Sequence, residues 1–223
     1  MQKRGTAVDF QEQFLTIYNE KIHRAGAQQL LEWLRRTDFF EAPASTRYHC
    51  ACRGGLVQHS VSVYETLCRH FPLEGENEAE SYAICGLLHD VCKANFYKQS
   101  TRNVKNEQGR WEQRPYYAVE DQFPYGHGEK SVFLIERFLR LKTSEAMAIR
   151  WHMGGFDDAA RGGSSAVSQA YQKYPLAVKL HAADFLSTYL VEVGTSAVPN
   201  GHPKPSPYPA PPKAEPAPEG KEE

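Results

Sequence analysis

Apolar residues recur three and four positions apart over most of this chain, which is the spacing of one helix face, and strand-like alternation is scarce. The pattern predicts helices over residues 10–22, 30–34, 56–71, 80–93, 127–141, 144–152 and 175–190. The helix over 80–93 is apolar nearly all round, as expected of a central buried helix. Ser144 is predicted to cap one of these helices and Pro175 to begin the last.

Residues 98–120 break this helical pattern. Segments of mixed strand character flank the glycine-containing turn Asn106–Gly109 and predict a β-hairpin. The stretches 37–55 and 154–174 carry turn and breaker residues and are predicted as loops. Because the chain has no internal repeat, we expect one all-α domain, a compact helical bundle with a hairpin insertion near residues 98–120.

The distribution of proline predicts a domain boundary near Val198. Nine of the 14 prolines lie between Pro199 and Pro218, in a segment that cannot bury enough apolar surface to offset its ordering entropy. We therefore expect a folded domain over residues 1–198 and a disordered proline-rich tail over residues 199–223. The tail is either a ligand for a partner that binds proline-rich segments or a solvated extension without function.

The charge and hydropathy of the chain argue against two classes of partner, nucleic acids and membranes. The formal net charge is −1, so no global positive field marks a nucleic-acid binder, and we expect no stable nucleic-acid complex. No apolar run approaches the roughly 18 residues of a membrane helix, and the N-terminus lacks the apolar core of a secretory signal. These observations predict a cytoplasmic protein that is not held in a membrane.

The five cysteines are an odd number in a chain without an export signal, which argues against a disulfide framework and predicts free thiols. Cys50 and Cys52, beside His49, have the character of zinc ligands, but no second ligand pair of fixed spacing follows them. The other three cysteines lie in apolar helical patterns and are predicted to be buried and inert.

Four histidines and two aspartates lie on otherwise apolar helix faces. They are His59, His89, Asp90, His127, His152 and Asp184. An aspartate among apolar residues costs several kcal/mol unless it is paired or metal-bound. Each histidine alone is explained as a core or surface residue, but the set offers the nitrogen and oxygen ligands that suit Mn, Fe, Co, Ni or Zn. Since neighbouring residues of a helix project about 100° apart, His89 and Asp90 can reach one site.

The order His59, His89–Asp90, Asp184 resembles the H…HD…D signature of the HD-domain metal-dependent phosphohydrolase superfamily, over residues 37–190. The segments GGLVQHSVSVY, LLHDVCK and HAADFLS are similar to the first-histidine helix, the HD helix and the closing segment of that family. The resemblance implies a small all-helical fold and metal-dependent phosphohydrolase activity. Cys92 stands where many members have glycine.

The two further histidines resemble those of members that hold two metal ions. The resemblance therefore implies two divalent transition-metal ions, with Asp90 as the residue that bridges them. The implied ligands of one ion are His59, His89, Asp90 and Asp184. Those of the second ion are Asp90, His127 and His152.

Catalysis in such a site uses a water whose pKa the metal lowers, so Asp90 is implied to be catalytic through its bridging position. Lys93 follows three residues later on the same predicted helix face and is predicted to add positive charge near the substrate. The alternative for Lys93 is a solvated helix end. Lys130, one turn inside the following predicted helix, and Asn95 and Tyr97, shortly after the HD pair, are predicted to contact the substrate.

The function expected from this reading is hydrolysis of a phosphomonoester or phosphodiester bond in a small phosphorylated, nucleotide-like substrate. Two alternatives stay open at this point. A minority branch of the same superfamily activates oxygen at a comparable di-iron site, and a protein with this fold can bind nucleotides without turnover. The sequence leaves the substrate, the metal and the oligomeric state undetermined.

Overall fold

A computed structural model describes residues 9–46, 48–73 and 75–193 of the chain. Its elements are α1 Phe10–Lys21, α2 Ala27–Arg36, α3 Gly55–His70, α4 Glu76–Leu88, β1 Tyr97–Lys105, β2 Trp111–Val119, α5 His127–Glu136, α6 Thr143–Trp151, α7 Asp158–Arg161, α8 Ala166–Lys173 and α9 Pro175–Leu186. A π-helical turn, Ser187–Val191, continues α9. The predicted boundary near residue 198 and the proline-rich tail lie outside the described residues.

Helices α3 and α4 pack against each other at the centre of the molecule, and α1, α6 and α9 surround them. The core is apolar because both central helices bury side chains on several faces, among them Leu56 and Leu67 of α3 and Tyr82 and Leu87 of α4. The expected all-α bundle is confirmed. None of the helices in the described residues is long and apolar enough to cross a membrane.

The predicted hairpin is also confirmed. Strands β1 and β2 pair antiparallel, with Tyr97 opposite Val119 at the base and Lys105 opposite Trp111 near the tip. The turn is closed by Asn106, whose side-chain oxygen accepts two backbone N–H groups across the turn, at 3.0 and 2.9 Å. Most hairpin residues are exposed or half-buried, so the insertion adds little to the core.

The central helix is shorter than the sequence predicts. Instead of running over residues 80–93, α4 ends at Leu88, and Asp90 has φ −103° and ψ 17°, outside the helical region. A 3₁₀ turn, Val91–Lys93, follows. Because the apolar pattern continues through this turn, periodicity could not reveal where the helix ends. His89 and Asp90 therefore lie at a helix end. The expectation that their side chains project about 100° apart around a helix axis does not apply to them.

Helices α5 and α6 also differ from the predicted bounds. Helix α5 ends at Glu136 rather than at Leu141, and the N–H of Phe138 closes a tighter turn on the carbonyl of Ile135, three residues back. Ser144 does not cap α6, since the helix begins one residue earlier and its N-cap is Lys142.

The predicted loop over residues 154–174 contains two helices that the sequence pattern did not indicate. Helix α7 is a single turn, and Asp157 caps it by accepting the N–H groups of Ala159 and Ala160. Helix α8 buries Ala170 alone, too little apolar surface to produce a periodic signal. The final helix ends at Leu186, and the π-helical turn replaces its predicted last residues.

A buried charge network fixes α4 against α6. Arg24, between α1 and α2, contacts Glu80 at 2.9 Å and Glu145 at 2.6 Å. Glu145 is fully buried and also accepts the hydroxyl of Ser81 at 2.6 Å. Burial raises the pKa of Glu145, but the hydrogen bonds from Arg24 and Ser81 outweigh it, and the net shift is downward. The network holds together the two helices that are followed by His89 and His152.

Candidate metal centre

The six predicted ligands lie together. Five of them line one cavity of about 520 Å³, and the sixth, His89, is fully buried beside it. They come from α3, from the residues after α4, from the first residue of α5, from the residue after α6 and from α9. Side chains up to 125 positions apart in the sequence thus meet at one place.

Three of the ligands form a first group. The Nε2 atom of His59 lies 3.3 Å from Nε2 of His89 and 3.2 Å from Oδ1 of Asp184. One donor atom of each residue lies within 4.8 Å of the other two, which is close enough for the three to hold one ion. Both histidines are buried.

A second pair of histidines lies on the other side of Asp90. The Nε2 atoms of His127 and His152 are 3.2 Å apart. The oxygen Oδ1 of Asp90 lies 2.8 Å from the His127 nitrogen and 3.5 Å from the His152 nitrogen. Its other oxygen, Oδ2, lies 3.7 Å from His59 and 3.6 Å from His89. Asp90 therefore presents one carboxylate oxygen to each group of histidines.

Contacts behind the rings fix how these histidines are oriented. Nδ1 of His89 lies 3.0 Å from the carbonyl of Gly86, and Nδ1 of His152 lies 2.7 Å from the carbonyl of Ile149. A carbonyl only accepts, so Nδ1 carries the hydrogen in both rings and Nε2 presents its lone pair to the centre. Nδ1 of His59 instead faces a carboxylate, Glu192, at 2.9 Å.

Two glycines allow the helices to approach closely enough for this arrangement. A Cβ atom on Gly86 would lie 2.6 Å from the Cα of Tyr64, where α4 meets α3. A Cβ atom on Gly128 would lie 2.2 Å from the carbonyl oxygen of Arg150, where α5 meets α6. Each glycine is within three residues of a ligand histidine, so the close packing brings His89 and His127 to their partners.

The two aspartates are ionised at neutral pH. Burial raises the pKa of Asp90, but Lys93 and His89 outweigh it and hold that pKa well below its usual range. Burial likewise raises the pKa of Asp184, and His59 lowers it by more. The centre therefore contains two negative charges with little access to solvent, which require cationic partners.

Two of the histidines, His89 and His59, differ in the direction of their pKa shift. Burial lowers the pKa of His89 to about 3, so this ring is neutral. Burial also lowers the pKa of His59, but Glu192 and Asp184 outweigh it and raise the pKa to about 10. The carboxylates around His59 therefore stabilise positive charge at this ring.

The residues fit divalent transition metals. Imidazole nitrogens with inward lone pairs and two ionised carboxylates are the donors such ions prefer. The donor atoms converge in a buried site, and three of the four rings are held from behind by a carbonyl or a carboxylate, as is usual for metal-binding histidines.

Lys93 lines the same cavity. Its ammonium lies 2.6 Å from Oδ2 of Asp90, and it is part of the 3₁₀ turn rather than of a helix face. Burial lowers the pKa of Lys93, but Asp90 outweighs it and the net shift is upward, so the amine is charged. The structure thus brings Lys93 to the centre, and its catalytic role stays a prediction.

The three predicted substrate-binding residues do not line the cavity. Lys130 is buried, and its ammonium contacts Asp121 at 2.5 Å. Asn95 accepts the backbone N–H of Asp38 at 3.2 Å, and Tyr97 donates to the carbonyl of Ala44 at 3.4 Å. These contacts attach the hairpin and its flanks to the bundle, and contact of the three residues with substrate remains a prediction.

The expectation that the cysteines form no disulfide framework agrees with the structure, in which none of the five forms a disulfide with another. Cys50 and Cys52 belong to none of the possible metal-binding groups among the described residues. Cys85 and Cys92 are buried as predicted, whereas Cys68 is half-buried. The sulfur of Cys92 lies beside the His127 ring, 3.4 Å from Nδ1 and 3.9 Å from Nε2. Cys92, Asp90 and His127 form one of the groups that could hold a metal ion, which the sequence did not indicate.

Two functional candidates were missed by the sequence analysis. Glu192 follows the π-helical turn, outside the predicted helices, and lies behind His59. His49 lines the cavity, and its ring centroid lies 4.7 Å from that of His59. Burial and the neighbouring His59 lower the pKa of His49 to about 4, so it is neutral. Its only signal in the sequence was its position beside Cys50, in a segment predicted as loop.

A comparison with protein-family models assigns the chain to a family. The model described as HD domain matches residues 56–189, a span that contains all six ligands but neither His49 nor Glu192. No curated protein and no solved structure matches the chain. Since the match covers more than half of the sequence and its histidines and aspartates converge in space, this protein belongs to the HD-domain family of metal-dependent hydrolases.

Proposed function

We propose that this protein is a metal-dependent phosphohydrolase that cleaves a phosphomonoester or phosphodiester bond of a nucleotide-like substrate. One observation carries the proposal: Asp90 presents one oxygen to His59 and His89 and the other to His127 and His152. A carboxylate between two groups of nitrogen ligands suits a pair of divalent ions.

The ions would be held by the two groups of ligands that share Asp90. When bound, they supply positive charge for phosphoryl oxygens and lower the pKa of water toward neutrality. The chain itself contributes orientation, since carbonyls hold His89 and His152 and a carboxylate holds His59. It also contributes the Lys93 ammonium, which can donate a hydrogen bond to a substrate oxygen while it neutralises Asp90.

The walls of the cavity favour a substrate with a flat ring and few phosphates. Exposed aromatic side chains line it, and the rings of Phe185 and Tyr189 are 4.7 Å apart, so a base can stack on them. Among the described residues that line the cavity, Lys93 is the only lysine or arginine, and it is paired with Asp90. A triphosphate would find few cations here, so we favour a substrate with one phosphate group.

The test is a substrate panel with the full-length protein loaded with Mn²⁺. The panel contains nucleoside monophosphates, nucleoside triphosphates, p-nitrophenyl phosphate and bis-p-nitrophenyl phosphate. We expect turnover of a monoester or diester, weaker activity on triphosphates, and loss of activity in His89→Ala and Asp90→Asn. The matched control is His70→Ala, since His70 is exposed at the end of α3 and should leave activity unchanged.

Three results would contradict the proposal. No turnover of any substrate by the metal-loaded protein, with nucleotide still bound, would indicate a binding protein. Oxygen consumption by an iron-loaded form, without hydrolysis, would indicate an oxygenase. Activity that persists in Asp90→Asn would show that a contaminant or another site performs the reaction.

A further inference from the structure

His49 lines the cavity but is not one of the six candidate ligands described above. Together with His59 and Glu192 it forms a further group whose donor atoms lie within 4.8 Å of one another. It lies in the segment between α2 and α3, before the span that matches the family. Both of its ring nitrogens are buried, and neither has a hydrogen-bond partner in the described residues. Leaving a buried polar group unsatisfied destabilises the folded protein, so an unpaired ring in a cavity wall calls for an explanation.

The backbone around His49 is fixed, so the ring is held in place rather than loosely exposed. The hydroxyl of Ser45 donates to the carbonyl of His49 at 2.8 Å, and the N–H of Ala44 donates to the carbonyl of Cys50 at 3.1 Å. Cys50 has φ 43°, a left-handed conformation that is unfavourable for a residue with a side chain. The strained turn holds the unpaired imidazole beside His59.

The neighbourhood of His49 shows what the ring is suited to bind. A neutral imidazole carries one N–H donor, whereas the nearby Asp184 and Glu192 only accept hydrogen bonds when ionised. The Lys93 ammonium is already paired with Asp90. An anionic ligand in this cavity would therefore find in His49 a buried donor that no protein group occupies.

We propose that His49 is a substrate-binding residue whose ring N–H donates a hydrogen bond to a phosphoryl oxygen. This inference rests on the proposed function, because it takes the phosphate to lie at the ions held beside His59. The hydrogen bond pairs one of the two unpaired ring nitrogens and gives the strained turn that fixes the ring a role in binding. It also adds a donor to a cavity in which Lys93 is the only lysine or arginine among the described lining residues.

The test titrates inorganic phosphate into the Mn²⁺-loaded full-length protein and measures the dissociation constant by calorimetry. The variants are His49→Phe, which keeps the ring but removes its nitrogens, and His49→Gln, which restores an N–H donor. A hydrogen bond to a charged group such as phosphate corresponds to about a 10- to 140-fold change in affinity. We expect His49→Phe to weaken phosphate binding by about that factor and His49→Gln to recover part of it. The exposed His70→Ala serves as the control.

Two further measurements separate this role from a structural one. The Mn²⁺ content of His49→Phe should equal that of the wild type, and its melting temperature should not fall, because buried unsatisfied nitrogens have been removed. In turnover assays, KM should rise with kcat nearly unchanged. A residue needed only for packing would instead lower the melting temperature and leave the phosphate affinity unaltered.

The proposal is overturned if the wild type does not bind phosphate, if His49→Phe binds it as tightly as the wild type, or if that variant loses one equivalent of metal. The last result would make His49 a metal ligand. Failure of the proposed function is a distinct outcome: wild-type protein without turnover, whose phosphate binding still depends on His49, would reject hydrolysis and keep this assignment.

Discussion

The contact between Glu192 and His59 predicts a selective effect on one metal ion. Replacing Glu192 by glutamine keeps the shape of the side chain but removes its charge behind the ring. We expect the ion held by His59 to bind more weakly and the ion held by His127 and His152 to be unaffected. The reason is that a carboxylate behind a histidine raises the basicity of the nitrogen that faces the metal.

The magnitude follows from the geometry. Both oxygens of Glu192 lie near Nδ1 of His59, at 2.9 and 3.2 Å, and both residues are buried. A hydrogen bond to a charged group contributes about 1.5–3 kcal/mol, which corresponds to about a 10- to 140-fold change in affinity. Because glutamine can still make a neutral hydrogen bond, we expect a loss near the lower end, about tenfold.

The assay is competition for Mn²⁺ between the protein and a chromophoric chelator, which resolves two binding steps. In Glu192→Gln one step should weaken about tenfold and the other should stay unchanged. The control is Glu120→Gln, because Glu120 is half exposed and forms a surface pair with Lys98 at 3.5 Å. Equal weakening of both steps, or no change in either, would refute the reasoning, and a single binding step in the wild type would refute the two-ion arrangement.

Three further predictions concern the second ion and the packing of the helices that position the candidate ligands. Cys92→Ala removes a thiol that lies beside the His127 ring and belongs to the same possible metal-binding group, so it should weaken the ion at His127 by about tenfold in the same competition assay and leave the His59 ion unchanged. Gly86→Ala places a Cβ against the backbone of Tyr64 and should lower the free energy of unfolding in urea by about 1–3 kcal/mol, whereas Gly155→Ala, in open space, should not. Glu145→Gln should lower the free energy of unfolding by about 1–3 kcal/mol at pH 7. The pKa of Glu145 is lower in the folded protein than in the unfolded chain. Its contribution to the free energy of unfolding is therefore present above the unfolded pKa of about 4.3 and is lost as the pH falls through the folded pKa. The difference in the free energy of unfolding between wild type and Glu145→Gln should therefore be constant above about pH 5.5 and shrink below about pH 4. A difference that grows in acid would contradict this prediction.

The sequence predicted the bundle and the hairpin, and it singled out six candidate ligands that the structure brings together, because each left a strong local signal. Long apolar periodicity marked the helices, and polar residues on apolar faces marked the ligands. His89 and Asp90 show why the bounds were less accurate. The apolar pattern runs past the end of α4 at Leu88, so the residues that leave the helix to reach the centre look like part of it.

The other polar residues near the centre were harder to assign because local position does not reveal their partners. Lys130, Asn95 and Lys93 all lie close to ligands in the sequence, yet only Lys93 reaches the cavity. The ammonium of Lys130 pairs with Asp121, which follows the hairpin. Pairings of this kind depend on the path of the insertion, and helical spacing carries no information about that path.

Glu192 shows how a departure from regular geometry can create a site. In a straight α-helix, residues eight positions apart are separated by about 80° around the axis, so Glu192 would not share the face of Asp184. The π-helical turn between them closes with the N–H of Glu192 bonded to the carbonyl of Ser187, five residues back, and so advances less per residue. This underwinding returns Glu192 to the side of His59, where Asp184 already lies. The π-helical turn is therefore the feature that puts a second carboxylate on His59, and a rule based on α-helical periodicity would have placed that carboxylate elsewhere.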